Sequence, residues 1–288
     1  MQLFVNDLTV IDFSYLCTKR GMVGESWIVD LILHGDLDEQ NMVLDFGKVK
    51  KQVKRIIDDT VDHKLVIPSE YAGTQAHHIE NSDYLKVEFT SESGELIRIS
   101  SPEDAYCFID AAHIEMDDVI THLASVIKPQ LPANVKKVEL SLRVEDISGF
   151  YYHYTHGLKK HDGNCQRIAH GHRSKIQIFE NGMKSPRLEK ELSSLWEDIY
   201  VGTDEDVVAP EKLEFINATE QQVCFKYESS QGHFELAMDK SSVYTMNVDT
   251  TVELIAQYIA DKLKAEHPEN EYKVIAYEGV AKGAIAYA

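Results

Sequence analysis

The chain has 288 residues, 43% of them hydrophobic, and 48 acidic against 29 basic side chains give it a formal net charge of -19. That length can bury a sizeable core as one large domain or two ordinary ones. So acidic a surface repels nucleic acid and anionic lipid, which leaves a small molecule as the expected partner. No apolar run approaches the roughly 20 residues of a membrane helix, and the stretch from Met1 lacks the basic start and cleavage site of a signal peptide, so the expected location is the cytoplasm.

In chain order, the first elements are a strand at Trp27–Gly35 and a helix after Met42. In that helix Phe46, Val49, Val53 and Ile57 recur at three- and four-residue steps while Lys48, Lys50, Lys51 and Lys54 take other faces, as in an amphipathic helix lying on a sheet. Lys64–Pro68 follows, then a hairpin from Val87, a second helix and a late strand running to Glu145. The order then returns: a strand at Ser174–Gly182, a helix after Met183, Asp206–Pro210, a hairpin from Val223, a helix carrying Val252, Ile255, Ile259 and Leu263, and a strand reaching Glu278. The segments from Val87 and Val223 lie against one another as hairpin, loop and helix, the mark of an internal repeat whose offset drifts through loop insertions. The expected architecture is α+β: two tandem modules, 1–147 and 148–288, with no Pro/Gly/Ser linker between them and hence packed closely.

The stretch from Thr155 to His172 is where chemistry concentrates, because His156, His161, Cys165, His170 and His172 crowd into it. His170 and His172 open an alternating run with Ile176 and Ile178, so as strand residues they share a face with their side chains about 7 Å apart. A third imidazole, His156, from the neighbouring strand completes a facial set of three with one position open, the arrangement of catalytic rather than structural zinc. The competing reading is a scatter of surface histidines. The four cysteines lie far apart with no C-x-x-C pair, which excludes a Cys-rich zinc module and a disulfide framework. Cys165 alone could be a small buried hydrophobe, but its seat in a polar loop before His170 argues for a chemical role.

These residues resemble the 6-pyruvoyl-tetrahydropterin synthases and bacterial 6-carboxy-tetrahydropterin synthases. In that family a zinc His, a Cys and an H-G-H recur, and the second module matches with His156, Cys165 and His170-Gly171-His172. The family's G-M-V-x-D-F…L-D-H-K segment matches Asn41–Phe46 and Val61–Lys64 in the first module. The resemblance implies the tunnelling fold, or T-fold, with each module an antiparallel four-stranded sheet, two helices on one face and an extra hairpin, and with sheets joined edge to edge. It also implies Zn2+ at His156, His170 and His172, Cys165 as proton-abstracting base, and His63 oriented by Asp62 on the opposite face of the substrate. Asp62 and His63 taken alone would read as a helix-end charge pair.

The halves are complementary in what they lack. Opposite the zinc ligands the first module offers Cys17, Val23 and Glu25, and opposite Asp62 and His63 the second offers Asp204 and Glu205, so one complete site is expected from unlike halves. Glu278 matches the glutamate that grips the pterin ring, with Thr251 in the same helix-start pattern and Glu145 as its first-module counterpart; a carboxylate suits the ring's paired N–H donors. Lys159, Lys160, Arg167, Arg173 and Lys175 supply positive charge that suits a triphosphate.

The implied reaction converts 7,8-dihydroneopterin triphosphate to 6-carboxy-5,6,7,8-tetrahydropterin, as in the deazapurine (queuosine) pathway. The spacing from Cys165 to the H-G-H is intermediate between carboxy-type and pyruvoyl-type sequences, so the pyruvoyl product stays open. A non-catalytic pterin or purine binder is the reading from another class. Because single-module relatives assemble as hexamers, a homo-oligomer of fewer subunits is expected.

Overall fold

A computed structural model describes residues 1–288, and it holds three sheets rather than two. The first is built on a long antiparallel hairpin of β1 (Gln2–Cys17) and β2 (Gly21–Gly35), which turns at Gly21 with φ +74°. Helix α1 (Phe46–Thr60) starts where the Asp45 side chain accepts the Lys48 N–H, and it lays Val49, Val53, Ile56 and Ile57 on the sheet. Phe46, expected on that face, is exposed, and Ile56 takes its place. Next come β3 (Leu65–Pro68), β4 (Thr74–His78), β5 (Tyr84–Thr90), β6 (Leu96–Pro102) and β7 (Tyr106–Ile109), then α2 (Met116–Ile127) and β8 (Val135–Val144). The order β7-β3-β1-β2-β8 makes the first sheet, with the β3 and β7 pairings parallel. A core of 29 buried residues lies between this sheet and its two helices.

The second sheet repeats this plan with β9 (Tyr151–His156), β10 (His170–Glu180), the short β11 (Met183–Lys184), β12 (Ile199–Thr203), β16 (Val243–Met246), β17 (Tyr272–Tyr277) and β18 (Gly283–Tyr287). Helices α3 (Pro186–Leu195) and α4 (Val252–Glu266) cover it, α4 burying Val252, Ile255 and Ile259 as its spacing predicted. The second sheet holds the expected four antiparallel strands, β9, β10, β17 and β18, while the first holds three, β1, β2 and β8; in each, helices pack against the sheet and further strands extend it in parallel.

The repeated pairings reset the correspondence between the halves. β1 pairs with β3 as β9 pairs with β12, so Leu65–Pro68 answers to Ile199–Thr203 and not to Asp206–Pro210. Within Asp206–Pro210 lies β13 (Val207–Val208), which instead edges the third sheet. The counterparts of Asp62 and His63 are then Glu197 and Asp198, not Asp204 and Glu205, and His63 and Asp198 share a left-handed backbone at φ 56° and 53°. In the same way Val23 faces Tyr15 as His170 faces His156, so Tyr15 rather than Cys17 stands where the second half has its first histidine.

The third sheet belongs to both halves. Its order is β13-β14-β15-β6-β5-β4, with β14 (Gln222–Ser229) and β15 (Gly232–Asp239) from the second half and β6, β5 and β4 from the first. The two hairpins join along β15 and β6, where Leu236 pairs with Ile99. Edge-to-edge joining within the chain thus falls to the hairpins. A shared cluster of 19 buried residues, including Leu16, Ile99, Ile168, Phe225 and Leu236, sits beneath. Each such side chain contributes about 2 kcal/mol on burial, so this cluster fastens the halves firmly.

The two main sheets cross in contact at paired glycines. A Cβ on Gly171 would lie 2.5 Å from the Gly24 Cα and 2.5 Å from the Ser14 Oγ, so neither strand admits a side chain there. Around that crossing Ser14 Oγ bonds Thr155 Oγ1 at 2.7 Å and the Arg173 N–H reaches Ser26 Oγ at 3.2 Å. No helix is long and apolar enough to cross a membrane.

Candidate metal and proton-transfer site

His156 ends β9 and His170 and His172 open β10, and the antiparallel register sets His170 opposite His156. Alternation then points all three rings to one side of the pair of strands. All three are buried, and one ligand atom from each lies within 4.8 Å of the others. The rings' outer nitrogens are fixed from behind. His156 Nδ1 lies 3.0 Å from the Thr250 carbonyl oxygen, and His170 Nδ1 lies 3.1 Å from that of Arg167. His172 Nδ1 lies 3.2 Å from Asp12 Oδ1, within ion-pair reach though off the line of a good hydrogen bond.

Since carbonyl oxygens only accept, Nδ1 carries the proton on His156 and His170 and their Nε2 presents a lone pair; on His172 the Asp12 carboxylate 3.2 Å from Nδ1 favours the same tautomer by its charge, without an aligned hydrogen bond. These tautomers are assigned from the partners. His156 Nε2 and His172 Nε2 then face each other at 3.2 Å, and His170 Nε2 is buried with no partner. Three lone pairs converging in a dry pocket repel one another unless a cation lies among them. The donor set therefore fits a divalent ion with imidazole ligands, and the acceptors behind it are those that orient such ligands. Burial, reinforced by the neighbouring imidazoles, holds His156 and His170 well below the usual histidine range, which keeps them neutral as ligands must be.

Against this trio stands a second one: His63, Cys165 and His170 also bring one ligand atom each within 4.8 Å of the others. His63 comes from the turn between α1 and β3, and its ring centroid is 5.2 Å from that of His170. Asp62 Oδ2 accepts from His63 Nδ1 at 2.7 Å. The Asp12 backbone fixes the turn, its N–H donating to Asp62 Oδ1 and its carbonyl accepting the His63 N–H, both at 2.8 Å. Burial opposes charge on His63, but its bonds to Asp62 and Cys165 outweigh burial and raise it to about 10. Cys165 is half-buried in a short 3-10 turn (Asn164–Gln166). Residues of both halves thus meet inside a single chain.

Glu278 follows β17 and lies 3.8 Å from Lys282 Nζ, which in turn reaches Asp12 Oδ2 at 3.1 Å. Glu145 is placed elsewhere. Its Oε1 takes Lys175 Nζ at 2.6 Å and its backbone oxygen accepts from Arg173 at 2.9 Å. Arg173 and Lys175 alternate with His172 along β10 and so serve the opposite face of the strand. Lys159 and Lys160 are paired with Asp206 and Asp249 beside a cavity of about 130 Å³ that Thr250 and Thr251 also line. The Thr251 hydroxyl caps α4 by accepting the Leu254 N–H, and it is Thr250 that touches His156. Sequence reasoning missed Thr250 and Asp12: both stand in the half opposite, or far along the chain from, the residues they serve, with no spacing to signal them.

The reciprocal place in the first half is closed by other chemistry. Glu25 stands where His172 would and His153 where Asp12 would, 3.8 Å apart, with His153 Nδ1 donating to the Gly24 carbonyl oxygen at 2.7 Å. Arg20 clasps Asp198 from across the junction. With Tyr15 and Val23 in the remaining positions, that place has no set of imidazoles.

The family described as 6-pyruvoyl tetrahydropterin synthase matches residues 18–103 and again 147–287. No curated protein matches the chain. Among solved structures, a 6-pyruvoyl tetrahydropterin synthase from Plasmodium vivax is 18% identical, covering 51% of this chain and 93% of its own with a TM-score of 0.41. One from Plasmodium falciparum is 15% identical, covering 49% and 90% with a TM-score of 0.39.

Proposed function

This chain belongs to the 6-pyruvoyl tetrahydropterin synthase family, and from that premise we propose that it is a zinc-dependent lyase converting 7,8-dihydroneopterin triphosphate to 6-carboxy-5,6,7,8-tetrahydropterin. Its modules are 1–147 and 148–288, and it works as a homo-oligomer with one kind of site. The observation that carries the reading is the convergence of the His156, His170 and His172 nitrogens beside Cys165 and His63.

His156, His170 and His172 would hold the ion, whose chemistry is to polarise side-chain oxygens of the substrate and so acidify the neighbouring protons. Cys165 takes a carbon-bound proton from one side. His63, held protonated by Asp62, returns or withholds a proton on the other. Glu278 accepts the paired N–H donors of the pterin ring and so sets the side chain over the ion. Thr250 keeps His156 in the tautomer that binds metal, and Thr251 fixes the start of α4 beside it. Glu145 lies with Lys175 on the other face, which favours Glu278 as the pterin anchor.

The test is metal analysis of the purified chain, then incubation with 7,8-dihydroneopterin triphosphate and mass identification of the product. The carboxy product with release of acetaldehyde and triphosphate is expected. A pyruvoyl product without acetaldehyde would reassign the reaction within the family, and zinc binding with no turnover would leave a pterin-binding protein.

A further inference from the structure

We propose that Asp12, a carboxylate of the first half, is a positioning residue that holds the metal-binding imidazoles, the Asp62–His63 pair and the Glu278 carboxylate in one rigid arrangement. The inference rests on the metal reading above and deepens it. Asp12 lies on β1 with its side chain 5% exposed. A carboxylate so buried is costly unless each oxygen is matched. Here Oδ1 takes the Ser26 hydroxyl at 2.5 Å and faces His172 Nδ1 at 3.2 Å, while Oδ2 takes Lys282 Nζ at 3.1 Å. The backbone of the same residue holds the Asp62–His63 turn through two 2.8 Å bonds. Lys282 continues to Glu278, and Gly279, at φ +66°, has no room for a Cβ against Asp12 Oδ1, so the chain after Glu278 presses directly on this carboxylate.

A carboxylate behind Nδ1 favours the tautomer that leaves Nε2 free and strengthens Nε2 as a ligand; Asp12 does so by its charge at 3.2 Å rather than through an aligned hydrogen bond. The reciprocal junction supports the assignment. There the same two chemistries appear with sides exchanged, His153 in the place of Asp12 and Glu25 in the place of His172, and no imidazole set accompanies them. The first half therefore supplies a support for the ligand as well as the proton-transfer pair.

Zinc affinity of the full chain, measured by competition with a chromophoric chelator, and the visible spectrum of the Co2+-loaded protein test this. Asp12→Asn keeps the shape and loses the charge; it is expected to bind zinc roughly 10- to 100-fold more weakly than wild type and to shift the Co2+ bands. Lys282→Met removes the ion pair and the link to Glu278 but leaves the His172 contact, and is expected to weaken zinc binding less than Asp12→Asn does and to shift the Co2+ bands less. Should Asp12→Asn not fold, Asp12→Glu gives the same readout, since one added methylene displaces the support of His172 and should move the bands. Wild-type affinity and bands in the Asp12 variants overturn the proposal and leave the metal reading standing. An equal loss in Lys282→Met also overturns it, because the carboxylate would then act only as half of a structural ion pair. A wild-type chain that binds no zinc through His156, His170 and His172 overturns the metal reading and this proposal together.

Discussion

His63 and Asp198 occupy equivalent turns in the two halves, each with a left-handed backbone, yet one faces Cys165 and the other is clasped by Arg20. The same turn thus brings an imidazole to Cys165 in one half and makes a cross-junction ion pair in the other. Since His63 meets Cys165 within one chain, mixing Cys165→Ala protein with His63→Ala protein should recover no activity. Recovery of a substantial fraction of wild-type rate in the mixture would show sites shared between chains and would overturn this.

Asp62 is what makes His63 a strong base. With Asp62→Asn the His63 ring should fall from about 10 toward its ordinary value of 6.5, moving the alkaline limb of the pH–rate profile down with it. Turnover should drop about 10²-fold or more, the usual worth of a positioned acid or base. The sign for stability follows from a raised imidazole: the pair stabilises the fold fully below about pH 6.5, and the contribution fades as pH climbs through about 10. Melting curves of both proteins at pH 6, 8 and 10 should converge at the top of that range; parallel curves would remove Asp62 as the cause.

Glu25 works in the opposite sense. Burial pushes its carboxyl up to about 7 against the opposing pull of the Ser26 N–H and Arg173. A carboxyl raised above its ordinary 4.5 stabilises the fold when protonated, so stability is lost as pH rises from about 4.5 through about 7. Glu25→Gln should therefore stabilise the protein at pH 8, by up to about 3 kcal/mol from the size of the shift, and by little at pH 4.5. Denaturant titrations at the two pH values check this, and equal stability at both contradicts it.

Gly171 has no room for a side chain. Gly171→Ala would drive a Cβ to 2.5 Å from the Gly24 Cα on β2 and 2.5 Å from the Ser14 Oγ on β1. Overpacking of this kind costs about 1–3 kcal/mol or more. Because Gly171 lies between two of the histidines, zinc content should fall alongside melting temperature. A stable Gly171→Ala protein with full zinc would mean that the crossing is looser than its glycines imply.

Much of the site was legible locally. The alternation of His170 and His172, with His156 on the preceding strand, needed only the two-residue period of a strand and one antiparallel pairing. Asp62 and His63 were read by resemblance, and the buried face of α1 by helical period, with Phe46 misplaced because an apolar residue in the first turn can still point to solvent. The correspondence between the halves was read less well. Sliding one half along the other sets Asp204 and Glu205 against Asp62 and His63 because the two loops differ in length, and a slide cannot tell an insertion from a shift; the parallel pairing of β9 with β12 can.

The sequence by itself determined which residue types are present at strand and helix periods: three imidazoles on one face, a thiol in the loop before them, an Asp-His pair in the other half, and the repeat that carries both. Only the tertiary structure decided that the two sets meet, that the hairpins of both halves form one sheet, and that Asp12 stands behind His172. Local periods follow from backbone geometry and survive in any context. Which distant strand crosses which, and what lies behind a buried ring, depends on packing between segments more than a hundred residues apart, as with Asp12 and His172, and no spacing along the chain encodes it.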